Sequence, residues 1–413
     1  MPTPTPERQI STPQPTAKRE RLVVLDALRG FALIGILLAN LVSFFGLYSL
    51  SPADVLALPV LDRGVLFLID WFIESKFFGL FSILFGMGFG LQASRMERTP
   101  GFFRPYWYRR MLVLLAVGLA HMVFVWNGDI LTLYAVLGLL LPLFMSLSNR
   151  ALIGWIVVLL IAPIAIFFVT YATSEAAFWS SLSRYSAEWK IELGYEGRSV
   201  LEMRTSDSAR EVFFANALNV ISRPMGYLIS GRYPQVFGLF LIGLFLSRHL
   251  PDLVTRRLQP SRRWLAAFTL GLLCSLVYAW TKLATGTYYS LTPMGAFQAV
   301  VLHIGAPLLS LGIGWVFVSA WQGTPGSALM RHLATLGRMA LTNYLFQTCS
   351  AVLLFYGYGL GWMGDLPFAL IPVFAVGILV AQGLFSHFWL RTHAQGPLEI
   401  VWKRLAYGRK LGR

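Results

Sequence analysis

The chain has 413 residues, of which 56% are hydrophobic and only 13% charged, and its mean hydropathy is +0.63. This excludes an ordinary soluble domain and points to an all-α polytopic membrane protein. The formal charge of +15 does not indicate nucleic acid, because Lys and Arg sit in the gaps between apolar runs and not on one soluble face.

Residues 1–20 are rich in Pro, Thr and charge and are predicted to form a disordered cytoplasmic tail. Windows of about twenty apolar residues predict ten spans, near 22–46, 64–92, 105–126, 129–147, 151–172, 233–249, 263–284, 296–320, 333–356 and 366–390. Arg95, Arg98, Arg104, Arg109 and Arg110, then Arg256, Arg257, Arg262 and Arg263, fall in alternate gaps with Arg150, Arg331 and the basic tail 396–413. The expected topology therefore has both termini cytoplasmic, in a multi-pass protein of the bacterial inner membrane. The long gap 173–232 mixes aromatics with balanced charge, which suits an extracytoplasmic cap with one or two interfacial helices. It separates two five-helix halves, 21–172 and 233–395, and an odd number of spans per half would invert the second relative to the first.

The polar residues inside the spans carry the functional signal. In RLVVLDALRGFALIGILLANLVSFF, helical spacing places Asp26, Arg29 and Asn40 on one face. Such a face should look into a polar cavity, since an ionisable group against lipid costs several kcal/mol. The second span puts Asp70 and Glu74 one turn apart with Lys76 roughly opposite Glu74, either a self-neutralising cluster or a proton or substrate site. Gly86, Gly88 and Gly90 lie in an apolar helix and read as a close-packing surface.

His121 ends the third span, Trp126, Asn127 and Gly128 make a turn, and Asp129 opens the fourth. Asp129 is either a helix cap or the partner that orients His121. The ninth span carries Arg338, Asn343, Tyr344 and Gln347. Arg29 and Arg338, at similar inner depth, suit a phosphate or carboxylate in a guanidinium fork, or else each pairs with an acid such as Asp26. His303 and His387 read as structural, Cys274 and Cys349 as packing residues, and no ligand spacing indicates a metal.

The segments LDALRGFALIGILLAN, KFFGLFSILFGMGF, HMVFVWNGDILTLYAVLG, LGRMALTNYLFQT and GPLEIVWKRL resemble, nearly end to end, the YeiB family of bacterial membrane proteins. More distantly, the opening motif is similar to that of transmembrane acyltransferases, the acyltransferase-3 proteins and heparan-α-glucosaminide N-acetyltransferase. Those enzymes move an acyl group from cytoplasmic acyl-CoA to an acceptor across the membrane. In acyltransferase-3 proteins a histidine follows the motif's glycine by ten residues, where this chain has Asn40; the heparan enzymes have Asn there and a histidine about eleven residues later, where this chain has Ser51. The resemblance thus implies Asp26, Arg29 and Asn40 as site residues.

The resulting expectation is an acyltransferase-like protein with acyl-CoA or acetyl-CoA as donor, held by Asp26, Arg29 and Arg338. His121, Asp129 and Asn40 are the expected catalytic group. Asp70, Glu74, Lys76, Trp126, Asn127, Asn343, Tyr344 and Gln347 are expected to bind substrate. Membrane lipids and a small-molecule or glycan acceptor are the expected partners, a homodimer is an allowed assembly, and neither metal nor nucleic acid is expected. The alternative is a proton-coupled transporter or exporter of a small anionic or amphipathic solute, and a third reading is a structural or lipid-sensing protein without turnover.

Overall fold

The computed structural model describes residues 16–96, 103–173, 188, 191–192, 197–255, 261–287, 290–324 and 326–407. Most of the expected tail 1–20, much of the expected cap 173–232 and the end of the basic tail lie outside them.

The described chain is helical, without a strand. Its helices are α1 (Thr16–Phe44), α2 (Pro52–Ala57), α3 (Val60–Phe72), α4 (Lys76–Met96), α5 (Phe103–Phe124), α6 (Leu131–Phe144), α7 (Asn149–Ala172) and α8 (Val200–Arg204). They continue with α9 (Ala209–Ile229), α10 (Arg232–Thr255), α11 (Arg262–Thr285), α12 (Pro293–Gly323), α13 (Ala328–Arg338), α14 (Ala340–Phe355), α15 (Ile371–Trp389) and α16 (Pro397–Tyr407). Among the described residues seven helical segments are long and apolar enough to cross a membrane. They stand at seven of the ten expected positions. The fourth and ninth positions hold the shorter apolar helices α6 and α14, and the sixth holds α10, which meets α9 at a 69° bend.

Two expected helices are interrupted. The second breaks between α3 and α4, where Ser75 takes a left-handed φ of 65°. The ninth breaks at Met339, between α13 and α14. The first break has no Gly or Pro to announce it, and at the second Gly337 stands two residues before Met339.

Small residues set the closest helix contacts, as expected for helices that gain little from apolar burial against lipid. A Cβ at Gly86 would lie 2.0 Å from the carbonyl oxygen of Phe240, and one at Gly243 would lie 2.0 Å from that of Ile83, so α4 and α10 meet backbone to backbone. Gly30 and Gly337 do the same for α1 and α13: a Cβ at Gly337 would fall 1.7 Å from the Asp26 carbonyl oxygen. Helix α1 also packs on α4, α14, α15 and α12, so the first helix is enclosed by both halves of the chain. Cys274 is half-buried and Cys349 exposed; neither is in a disulfide.

Candidate functional site

A cavity of about 440 Å³ opens against α1 at Leu25, Asp26 and Arg29. Asp26 and Arg29 of the expected stripe line it, Asn40 does not, and Arg338 reaches it from the end of α13. Arg95 and Arg110, which the sequence uses as orientation signals, are also in its wall, so four arginines face two carboxylates, Asp26 and Glu399. Arg29 donates to Asp26 at 2.8 Å, the local pairing open to it from sequence. Among the described residues no hydrogen bond or ion pair engages the Arg338 side chain. The deeper wall is apolar and aromatic, with Phe85, Trp107, Leu114, Ile130, Tyr134 and Tyr344.

The C-terminal helix α16 closes one side of the mouth. Interruption at Met339 leaves the first amides of α14 without intrahelical partners, and the Glu399 carboxylate of α16 accepts from the N–H of Leu341 at 2.7 Å and of Thr342 at 3.2 Å. The Thr342 hydroxyl donates to its other oxygen. Burial pushes the Glu399 carboxyl up, against the opposing pull of its Thr342 and Leu341 donors. Trp402 lies 3.8 Å under the Arg110 guanidinium and donates its indole N–H to the Arg110 carbonyl.

The histidine–aspartate pair does not line this cavity; it packs against Tyr344, which does. His121 Nδ1 lies 3.0 Å from Asp129 Oδ1, both side chains buried, and the His121 and Tyr344 ring centroids are 5.5 Å apart. The second oxygen of Asp129 accepts from the Thr132 N–H at 2.7 Å, so Asp129 caps α6 and orients His121 at the same time. A carboxylate can only accept, so in this contact His121 donates through Nδ1. The other ring nitrogen, Nε2, is buried without a hydrogen-bond partner among the described residues. The Asp129 carbonyl is held in turn by the Tyr227 hydroxyl of α9 at 2.9 Å, and Tyr227 accepts from Arg223.

The other expected site residues lie elsewhere. Asn40, about three turns along α1 from Arg29, is half-buried, lines neither this cavity nor the smaller one described below, and makes no hydrogen bond to His121 or Asp129 among the described residues. Trp126 is buried against Phe44, with ring centroids 4.8 Å apart, and Asn127 accepts from Arg204 of α8. Asn343 donates to the Leu336 carbonyl and accepts from Ser386, while Gln347 donates to Gln382 at 2.9 Å. These amides join α14 to α13 and α15 and do not reach the cavity.

Asp70 and Glu74 form a second centre at the α3–α4 break. Both hold Lys282 of α11, at 2.7 and 3.0 Å. Lys76 is fully buried and donates to the Asp70 backbone carbonyl at 2.5 Å, so its ammonium caps the carbonyl end of α3. Lys282 escapes the sequence reading because a single lysine near the end of an apolar span looks like an interfacial anchor. No group of His, Cys, Asp or Glu suited to a metal occurs among the described residues.

An all-helical membrane bundle with an arginine-lined cavity, one of whose walls is Tyr344 packed against a buried histidine–aspartate pair, is the class these features define. The chain belongs to the YeiB family of bacterial proteins, through relatives that match it almost end to end. It is 30% identical to "Uncharacterized protein YxaH" of Bacillus subtilis, over 96% of this chain and 97% of that protein. It is 31% identical to "Uncharacterized protein YeiB" of Escherichia coli, over 94% of this chain and 96% of that protein. The family described as "Protein of unknown function (DUF418)" matches residues 252–409. No solved structure matches the chain.

Proposed function

We propose that this protein is a transmembrane acyltransferase-like protein of the bacterial cytoplasmic membrane, with ten crossings and both termini inside. It takes an acyl group from cytoplasmic acyl-CoA, acetyl-CoA being the simplest donor, and passes it to a glycan or small-molecule acceptor outside. The supporting observation is one cavity that carries four arginines at its mouth and ends at Tyr344, against the His121–Asp129 pair. Guanidinium groups suit the phosphates of the donor. His121 Nε2 takes the proton of an acceptor hydroxyl or amine as the acceptor's oxygen or nitrogen bonds to the thioester carbonyl carbon. The carbon–sulfur bond then breaks, and the thiolate leaves with the proton returned by His121.

Calorimetric titration of the detergent-solubilised protein with acetyl-CoA tests the donor site. Saturable binding that disappears in Arg29→Gln/Arg338→Gln is the expected result, and absence of binding by the wild type rejects it. His121→Ala should bind acetyl-CoA normally and lose about 10²–10⁴ of the rate of label transfer to membrane glycans. Full transfer by that variant removes His121 as base. Reporter fusions at Ser181 and Arg257 test the topology; a periplasm-dependent reporter active at Arg257 and silent at Ser181 reverses it.

The α3–α4 break favours a second reading. Charged groups at an interrupted helix suit a proton-coupled transporter, with Asp70, Glu74 and Lys282 exchanging partners. Proton uptake by proteoliposomes on addition of solute, abolished in Asp70→Asn, distinguishes it.

A further inference from the structure

The smaller cavity lies beyond the opposite end of α1 from the arginine-lined one. Leu47, Tyr48 and Leu50, just past α1, line it together with Arg63 of α3 and the paired Asp70 and Lys282. Its volume is about 120 Å³. An apolar protein cavity of about 150 Å³ admits benzene, so the occupant here has roughly five heavy atoms.

Charge counting picks out Arg63. Asp70 and Glu74 share Lys282, and Lys76 adds a second ammonium, so two carboxylates already balance two lysines. Arg63 stands outside that cluster, and the buried carboxylate of its sequence neighbour Asp62 accepts from the Ala369 N–H at 2.8 Å and makes no ion pair with Arg63 among the described residues. Among the described residues the buried Nε–H of Arg63 has no hydrogen-bond partner and its guanidinium makes no ion pair. A buried guanidinium nitrogen left unpaired carries the full cost of its lost hydration. The group that relieves this is an anion with two coplanar oxygens, which an arginine receives through paired N–H donors. The rest of the wall is mainly aliphatic or aromatic, with Val55, Leu66, Phe67 and Leu283. Such a wall rewards a short alkyl tail and penalises a doubly charged, fully hydrated anion.

We infer that this cavity is a binding site for a short-chain monocarboxylate, its carboxylate on Arg63 and its alkyl end against Leu66 and Phe67. The site stands on this cavity alone and holds whether the larger cavity transfers acyl groups or the charge cluster serves transport.

The test is titration of the full-length protein in detergent with sodium propionate, and in parallel with sodium phosphate, followed by calorimetry. Wild type should bind propionate saturably, and the Arg29→Gln/Arg338→Gln variant, in which the larger cavity's anion site is removed, should bind phosphate at least tenfold more weakly than propionate. Arg63→Gln should lower propionate affinity at least tenfold, while Arg338→Gln, in the other cavity, leaves it unchanged. Should Arg63→Gln fail to fold, phenylglyoxal modification of Arg63 in the wild type, read by peptide mass spectrometry, replaces it, and propionate should protect that residue. The inference is overturned by absence of saturable propionate binding, by undiminished binding in Arg63→Gln, by loss through Arg338→Gln instead, by phosphate binding as tightly as propionate to the Arg29→Gln/Arg338→Gln variant, or by modification of Arg63 that propionate leaves unchanged.

Discussion

The two interrupted helices make a controlled comparison within one molecule. At the α3–α4 break, two carboxylates and two lysines neutralise one another among buried side chains, and Lys76 caps the exposed carbonyl end. At the α13–α14 break, the cavity beside it carries four arginines against two carboxylates, and the free amides of α14 are capped by a side chain borrowed from the C-terminal helix. The first break is balanced from within. The second keeps positive charge in reserve, and reserve charge facing a cavity is what an anionic ligand needs. Interruption of a helix therefore does not identify a ligand site; the residual charge around it does.

Substitutions should separate the two breaks by their effect on stability. Lys282→Met strands Asp70 and Glu74 without their counter-ion and should cost about 3–5 kcal/mol, the range for breaking a buried pair. Denaturant unfolding in detergent measures it, and Asp70→Asn/Glu74→Gln/Lys282→Met should recover most of the loss. A single variant as stable as wild type would show that the cluster is not internally balanced.

Gly337→Val tests the seam that places Arg338 beside Arg29. Its side chain would run into the Asp26 carbonyl, and overpacking of this kind costs about 1–3 kcal/mol. The same unfolding assay should register that loss together with weakened acetyl-CoA binding. Glu399→Gln is expected to cost about 1 kcal/mol, the usual worth of a helix cap, and limited proteolysis should then cut α16 faster. Unchanged cleavage would mean that Trp402 alone holds the helix down.

Arg338→Gln should have the smallest effect on stability, within about 0.5 kcal/mol, since its side chain is exposed in the cavity and unpaired among the described residues. Loss of stability as large as that of Lys282→Met would erase the distinction between a balanced and a reserve-charged break.

How much of this was legible depended on whether the signal was local. The cavity side of α1 follows from the spacing of Asp26 and Arg29, and the His121–Asp129 contact follows from a short turn between antiparallel helices. Asn40 failed to join them because sharing a helix face does not mean sharing a cavity: about three turns separate it from Arg29. The breaks were not legible, as a single serine at Ser75 and a single glycine at Gly337 are too common within apolar helices to signal an interruption. Lys282 and Glu399 were missed for a related reason. Each meets its partners from a helix remote in sequence, Lys282 from α11 and Glu399 from α16. Arg95 and Arg110 were seen, but their role in setting orientation hid their place in the cavity wall.

The seam between Gly30 and Gly337 also bears on how the protein is made. These two backbones touch, yet about 300 residues must leave the ribosome between the first helix and its closest partner. Throughout that interval α1 waits in the bilayer with an acid and a base exposed to whatever surrounds it. The 2.8 Å contact between Asp26 and Arg29, one turn apart on the same helix, lets the segment travel as a zwitterion that supplies its own neutralisation. Biogenesis can thus tolerate a charged first helix before the rest of the bundle arrives to shelter it.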